Sequence, residues 1–144
     1  MKVIILAGGF GTRLSEYTKV VPKPMVNIGP YPMLWHIMDL YSKYNHNEFL
    51  LALGYKSEII KDYFLALNSN TCDFKVDLKP GKVDYYSRSS LKWEVSLIDT
   101  GLNTKTGGRI KRLAEYISPD EQFLITYGDG LSNVNIDSLV EFHN

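Results

Sequence analysis

Residues 3–6 read Val-Ile-Ile-Leu, an unbroken apolar run, and the chain then turns through Gly8, Gly9 and Gly11. A strand that is apolar on both faces must be covered on both, which places it inside a parallel sheet rather than at a solvated edge. The pattern that follows agrees. After Pro32, residues Met33, Leu34, Ile37, Met38 and Tyr41 recur at helical spacing and predict an amphipathic helix lying on that sheet. Residues 49–53 form a second apolar strand ended by Gly54, and Ser57 is placed to cap a helix whose stripe is Ile60, Tyr63, Phe64 and Leu67. Strand, helix, strand, helix implies an α/β fold with a mainly parallel sheet.

Further along, residues 74–78 and 83–86 predict short strands around Pro80-Gly81, and Trp93, Val95 and Leu97 alternate as in a half-exposed strand. Ile110, Leu113, Ala114 and Ile117 predict a helix stopped by Pro119. Residues 123–127 predict a buried strand ending in Gly128-Asp129-Gly130, and Asp137 is expected to cap a last helix through Leu139 and Val140.

With 144 residues, 44% of them hydrophobic, residues 1–144 suffice for one domain with a core. Lys+Arg and Asp+Glu are 16 each, so no global field draws the chain to nucleic acid or to an anionic membrane, and any anion site is local. The single cysteine, Cys72, has no partner for an internal disulfide, which fits a reducing cytoplasm. The apolar start is far too short for a signal segment or a membrane span. His36, His46 and His143 have no metal-spaced partners and read as structural or solvated.

Three loops, residues 7–13, 99–109 and 128–130, each follow a predicted strand end, where open α/β sheets bind ligands. Gly8, Gly9 and Gly11 let the backbone approach a ligand closely; Thr12 adds a hydroxyl and Arg13 a forked cation. Lys23, between Pro22 and Pro24, supplies a second cation on a stiffened backbone. Together they read as a phosphate cradle, although the same glycines would also suit a plain connecting turn. The P-loop pattern GxxxxGK[ST] is absent, and Leu14 stands where the dinucleotide fingerprint needs its third glycine. Asp129, between two glycines, reads either as a turn former or as a carboxylate for Mg²⁺ beside a phosphate. Thr106-Gly107-Gly108 opens a helix that could hold an anion or the polar edge of a base. Arg109 then either faces something negative or joins Lys111 and Arg112 on a solvated basic face.

The string "LAGGFGTRL...PKP" resembles the signature of the sugar-1-phosphate nucleotidylyltransferases, and "YGDG" resembles their metal-binding turn. Glu16 in "LSEYT", where the family usually has proline, and the segment "IDTGLNTKTGGRIKRLAEYI" narrow the resemblance to the glucose-1-phosphate cytidylyltransferases; "LWHIM" and "YGDGLSNVNIDSLVEFH" resemble the same group. The resemblance implies a Rossmann-like three-layer α/β/α nucleotide-diphospho-sugar transferase fold and a reaction of CTP with α-D-glucose 1-phosphate to give CDP-glucose and pyrophosphate, in deoxysugar and O-antigen synthesis. It further implies that Leu6, Ala7, Gly8, Gly9, Gly11, Thr12 and Arg13 hold the nucleotide. Lys23 would stabilise charge at the α-phosphate, Asp129 would bind Mg²⁺, and Thr106 and Arg109 would help to select cytosine. Full-length members are expected to be homo-oligomers. They run well past Asn144, and that further part supplies a second metal-binding aspartate and a lysine for the sugar phosphate. The present chain is therefore expected to be an N-terminal nucleotide-binding part, with later strands unbuilt and an exposed apolar edge. The alternatives at this point are transfer of another nucleotide, such as UTP or dTTP, and a non-catalytic nucleotide-binding module.

Overall fold

A computed structural model of the chain describes residues 1–11, 20–86 and 90–144. Four parallel strands, β1 (Lys2–Leu6), β4 (Glu48–Leu53), β7 (Glu94–Asp99) and β8 (Phe123–Tyr127), form the central sheet in the order β7-β4-β1-β8. The expected parallel sheet is therefore present, with β1 inside it: Val3 pairs with Phe49 on one side and with Leu124 on the other. Two small hairpins flank the sheet, β2 (Asn27–Ile28) with β3 (Tyr31–Pro32) and β5 (Phe74–Asp77) with β6 (Lys82–Tyr85).

The alternation of strand side chains sorts the core into two layers. On one face Val3, Ile5, Phe49, Leu51 and Leu53 pack against α1 (Met33–Lys43), α2 (Ser57–Thr71) and α4 (Ile136–His143), through Leu34, Ile37, Met38, Tyr41, Ile60 and Ile136. On the other face Ile4, Leu6, Leu50 and Ala52 meet Leu113, with Ile110 and Ile117 beside it. That second face is covered by Ile110 of α3 (Thr106–Arg112) and by Leu113 and Ile117, which flank the 3-10 turn Ala114–Tyr116. The three-layer arrangement is thus complete on one side and thin on the other.

Four expectations need correction. The helix over residues 110–117 is divided, because the change from α to 3-10 geometry shifts the angular phase; Leu113 stays buried while Ala114 turns out to solvent. β8 is not a buried strand. It lies at the sheet edge, and Phe123, Ile125 and Tyr127, in register with Lys2, Ile4 and Leu6, stand on the thinly covered face. They are 39%, 45% and 59% exposed, which is the apolar edge expected from the sequence. The helix α2 begins at Ser57 itself. Finally, α4 is capped by Asn135, whose Oδ1 accepts from the Ser138 amide at 3.0 Å, and Asp137 lies inside the first turn, where its charge suits the helix dipole. Replacing Asn135 by alanine should cost about 0.5–2 kcal/mol in chemical denaturation, and Asp137→Asn less than that.

Cys72 is buried, and His36 and His46 make local contacts with the Ile28 carbonyl and the chain's amino terminus. Among the described residues no helix is long and apolar enough to cross a membrane.

Candidate functional site

The chain runs from β1 outward through β4 to β7 and then returns to place β8 on the opposite side of β1. Such a reversal opens a crevice beyond the carboxyl ends of the two diverging strands. A cleft of about 530 Å³ lies there, within the range of small-molecule sites. Its walls are residues 6–11 after β1, Tyr127 and Asp129 at the end of β8, residues 102–106 and Arg109 after β7, and Lys23 with Pro24.

Several of the residues singled out from the sequence meet in this cleft: Leu6, Ala7, Gly8, Gly9, Gly11, Lys23, Thr106, Arg109 and Asp129. Thr12 and Arg13 lie outside the described residues. Leu6 and Ala7 contribute backbone, since their side chains are buried in the two core layers. Ala7 N donates to Ala52 O and Gly128 N donates to Leu6 O, so the floor is tied to β4 and to the end of β8. Gly11 has φ of 63°, a left-handed conformation that favours glycine.

Lys23 is held at the start of a 3-10 turn, Lys23–Met25, closed by Met25 N donating to Pro22 O at 2.8 Å and anchored by buried Pro24 and Met25. Its Nζ donates to Asp129 Oδ2 at 2.6 Å, across 106 positions of sequence. The two glycines beside Asp129 do different things. A Cβ on Gly128 would press on Pro24 and the Leu6 carbonyl, at 3.1 and 3.2 Å, whereas one on Gly130 would meet nothing. Gly128 therefore lets the turn sit tightly on β1, and Gly130 leaves open space beside the carboxylate.

Arg109 neither faces solvent nor joins a basic surface. It is 5% exposed, and its terminal nitrogens are engaged by the protein. Nη1 donates to Leu53 O at 2.8 Å and to Thr100 Oγ1 at 2.7 Å; Nη2 donates to Gly8 O at 2.8 Å and to Leu102 O at 3.3 Å. In place of an external anion it has three backbone carbonyls and the Thr100 hydroxyl as partners. Burial pushes its pKa below the usual arginine value, while nearby Asp99 opposes the shift. Beside it, Arg112 donates to Thr100 O and Thr104 Oγ1, closing the loop after β7.

Sequence reasoning missed the loop after β4 and the aromatic wall. Tyr55 N donates to Gly8 O at 3.2 Å, and the Tyr55 ring lies 5.3 Å from that of Phe10, which lines the cleft. Gly54, directly after an apolar strand, was the available signal.

The donor set suits Mg²⁺ as a partner of bound phosphates. Asp129 offers one hard, partly exposed carboxylate with open space at Gly130, and Mg²⁺ commonly takes one or two carboxylates together with substrate oxygens.

Known proteins resemble the chain along nearly its whole length. Residues 2–144 match the family model described as nucleotidyl transferase. Glucose-1-phosphate cytidylyltransferase of Salmonella typhimurium is 46% identical over 99% of this chain and 56% of its own, and probable glucose-1-phosphate cytidylyltransferase of Bacillus subtilis shows the same figures. The chain spans about half the length of the curated relatives it matches. Among solved structures, HddC from Yersinia pseudotuberculosis superposes with a TM-score of 0.72 at 28% identity, over 98% of this chain and 53% of that one. A UDP-glucose pyrophosphorylase, at 19% identity and a TM-score of 0.67 over 99% of this chain and 53% of that one, shares the fold. On the family match over residues 2–144, the chain belongs to the nucleotidyl transferase family.

Proposed function

We propose that residues 1–144 form the nucleotide-binding part of a domain that joins CTP to α-D-glucose 1-phosphate, giving CDP-glucose and pyrophosphate. The observation that carries this reading is the meeting of Lys23, Asp129 and the glycine loop at the β1–β8 crevice. The 46% identity to two proteins named for that activity supports it.

The attacking oxygen of a sugar phosphate is already anionic at neutral pH, so no general base is required. In-line displacement at the α-phosphorus then depends on positioning and on neutralising charge. The backbone at Gly8, Gly9 and Gly11 admits the triphosphate close to the sheet, and Thr12 and Arg13, which follow in the sequence, are the hydroxyl and the cation proposed for its phosphates. Lys23 exchanges its contact with Asp129 for the phosphates, and Asp129 is then available to hold Mg²⁺. Mg²⁺ there would supply charge neutralisation on the phosphate oxygens and make pyrophosphate a better leaving group. Thr106 and residues 102–105 line the cleft and are the groups proposed for the base edge. The product would feed deoxysugar and O-antigen synthesis in the cytoplasm.

The test is calorimetric titration of the chain with CTP, UTP, dTTP and GTP in turn, each with Mg²⁺. Binding that favours CTP, and that weakens in Thr106→Val, is the expected result. A folded chain that binds none of the four would overturn the reading for this chain, and equal affinities would remove the cytidylyl assignment.

A further inference from the structure

We infer that Arg109 is a positioning residue, which holds the phosphate loop in its binding shape from beneath rather than reading the base. The inference rests on the nucleotide reading of the cleft and assigns a different part to one of its lining residues. A guanidinium carries four hydrogens on its terminal nitrogens, and all four have protein acceptors: Leu53 O, Thr100 Oγ1, Gly8 O and Leu102 O. None of those four reaches a ligand without leaving a carbonyl or hydroxyl behind. The acceptors come from the ends of β4 and β1 and from the loop after β7, so one planar group ties together three strand ends.

Two glycines make room for it. A Cβ at Gly8 would overlap Arg109 Nη1 and Cζ, and a Cβ at Gly54 would lie 2.5 Å from Nη1 and 2.9 Å from Nη2. The absence of a side chain at Gly8 therefore serves the arginine, whereas at Gly9, where a Cβ would meet nothing, it keeps the cleft open. Gly8 O accepts from both Arg109 Nη2 and the Tyr55 amide, which fixes the peptide at the start of the loop. Thr100 completes the device: fully buried, its hydroxyl donates to Leu53 O at 2.6 Å and accepts from Arg109. It is absent from the cleft lining, so it acts on a ligand only through the arginine.

The experiment compares the chain with Arg109→Lys, Thr100→Val and, as a control, the exposed Lys111→Ala. Amide hydrogen exchange is measured without ligand, and affinities are measured for CTP, UTP, GTP and inorganic tripolyphosphate. Lysine keeps the charge but cannot span four acceptors. Faster exchange at residues 8–11 and 55 is expected in Arg109→Lys and, to a smaller extent, in Thr100→Val, with α1 unchanged. Affinity should fall roughly tenfold or more in Arg109→Lys, by a common factor for all four ligands including the one without a base. Unchanged loop exchange in both variants overturns the proposal, as does full retention of affinity with lysine or a changed ratio of CTP to UTP. If Arg109→Lys loosens the whole fold, the Thr100→Val pair of readings decides. The exchange measurement also decides if the unmodified chain binds no nucleotide, a result that would count against the nucleotide reading and not against the clamp.

Discussion

Gly8→Ala should destabilise the fold by on the order of 3–5 kcal/mol, read as a fall in Tm of roughly 10 °C, while Gly9→Ala changes stability by no more than about 0.5 kcal/mol. The two glycines are adjacent, yet their surroundings differ completely. The new methyl at position 8 would overlap the Arg109 guanidinium and come within 2.9 Å of the Gly54 backbone nitrogen. An arginine at the end of a free side chain would swing aside at little cost. Here it would surrender four hydrogen bonds, and a buried cation deprived of its acceptors is far more costly than an overpacked methyl. At position 9 the methyl enters open space, so its effect should appear in ligand affinity and not in melting. Equal stability of the two variants would show that the guanidinium is not held as described.

Lys23→Ala should move two affinities in opposite directions. The Lys23 ammonium and Asp129 carboxylate, 2.6 Å apart, neutralise each other in the chain without ligand. Removing the ammonium frees the carboxylate, so the affinity for Mg²⁺ alone is expected to rise. The affinity for the Mg²⁺–CTP complex should fall roughly 10- to 100-fold, the worth of one charge-assisted hydrogen bond to phosphate. Asp129→Asn should instead abolish the response to Mg²⁺ while keeping part of the metal-free nucleotide binding. Calorimetric titration of each variant with MgCl₂, then with CTP in the presence and absence of Mg²⁺, checks both. A Lys23→Ala chain with both affinities lowered would indicate that the lysine only supports the turn at Pro24 and Met25.

The elements legible in the sequence were those whose signal is local. The apolar run of β1, the run of β4 and the helical stripe from Met33 to Tyr41 each carry their period within one element, and each appears where expected. The placement of the glycine loop, Lys23 and Asp129 near one another was legible because all of them sit beyond the carboxyl ends of parallel strands or next to such an end. The hydrogen bonds of Arg109 were not legible, because its acceptors come from positions 8, 53, 100 and 102 and nothing near 109 announces three carbonyls and a hydroxyl converging there. The exposure of β8 likewise depends on what lies beside it rather than on "FLITY", whose composition suits a buried strand equally well. At the last helix, Asn135 and Asp137 are both good caps, and only the position of the first helical residue chooses between them.

Strand β1 lies between β4 and β8, and its partners in β8 stand 121 positions away, as in the pairing of Lys2 with Phe123. Contacts of such separation lower the folding rate, since a long loop must close before they yield any stabilisation. On the ribosome, at about 5–20 residues per second, β1 and its loop would emerge many seconds before β8. The crevice between β1 and β8 is therefore a late product of folding: Lys23 has no Asp129, and Leu6 O has no Gly128, until almost the whole of this chain has been made.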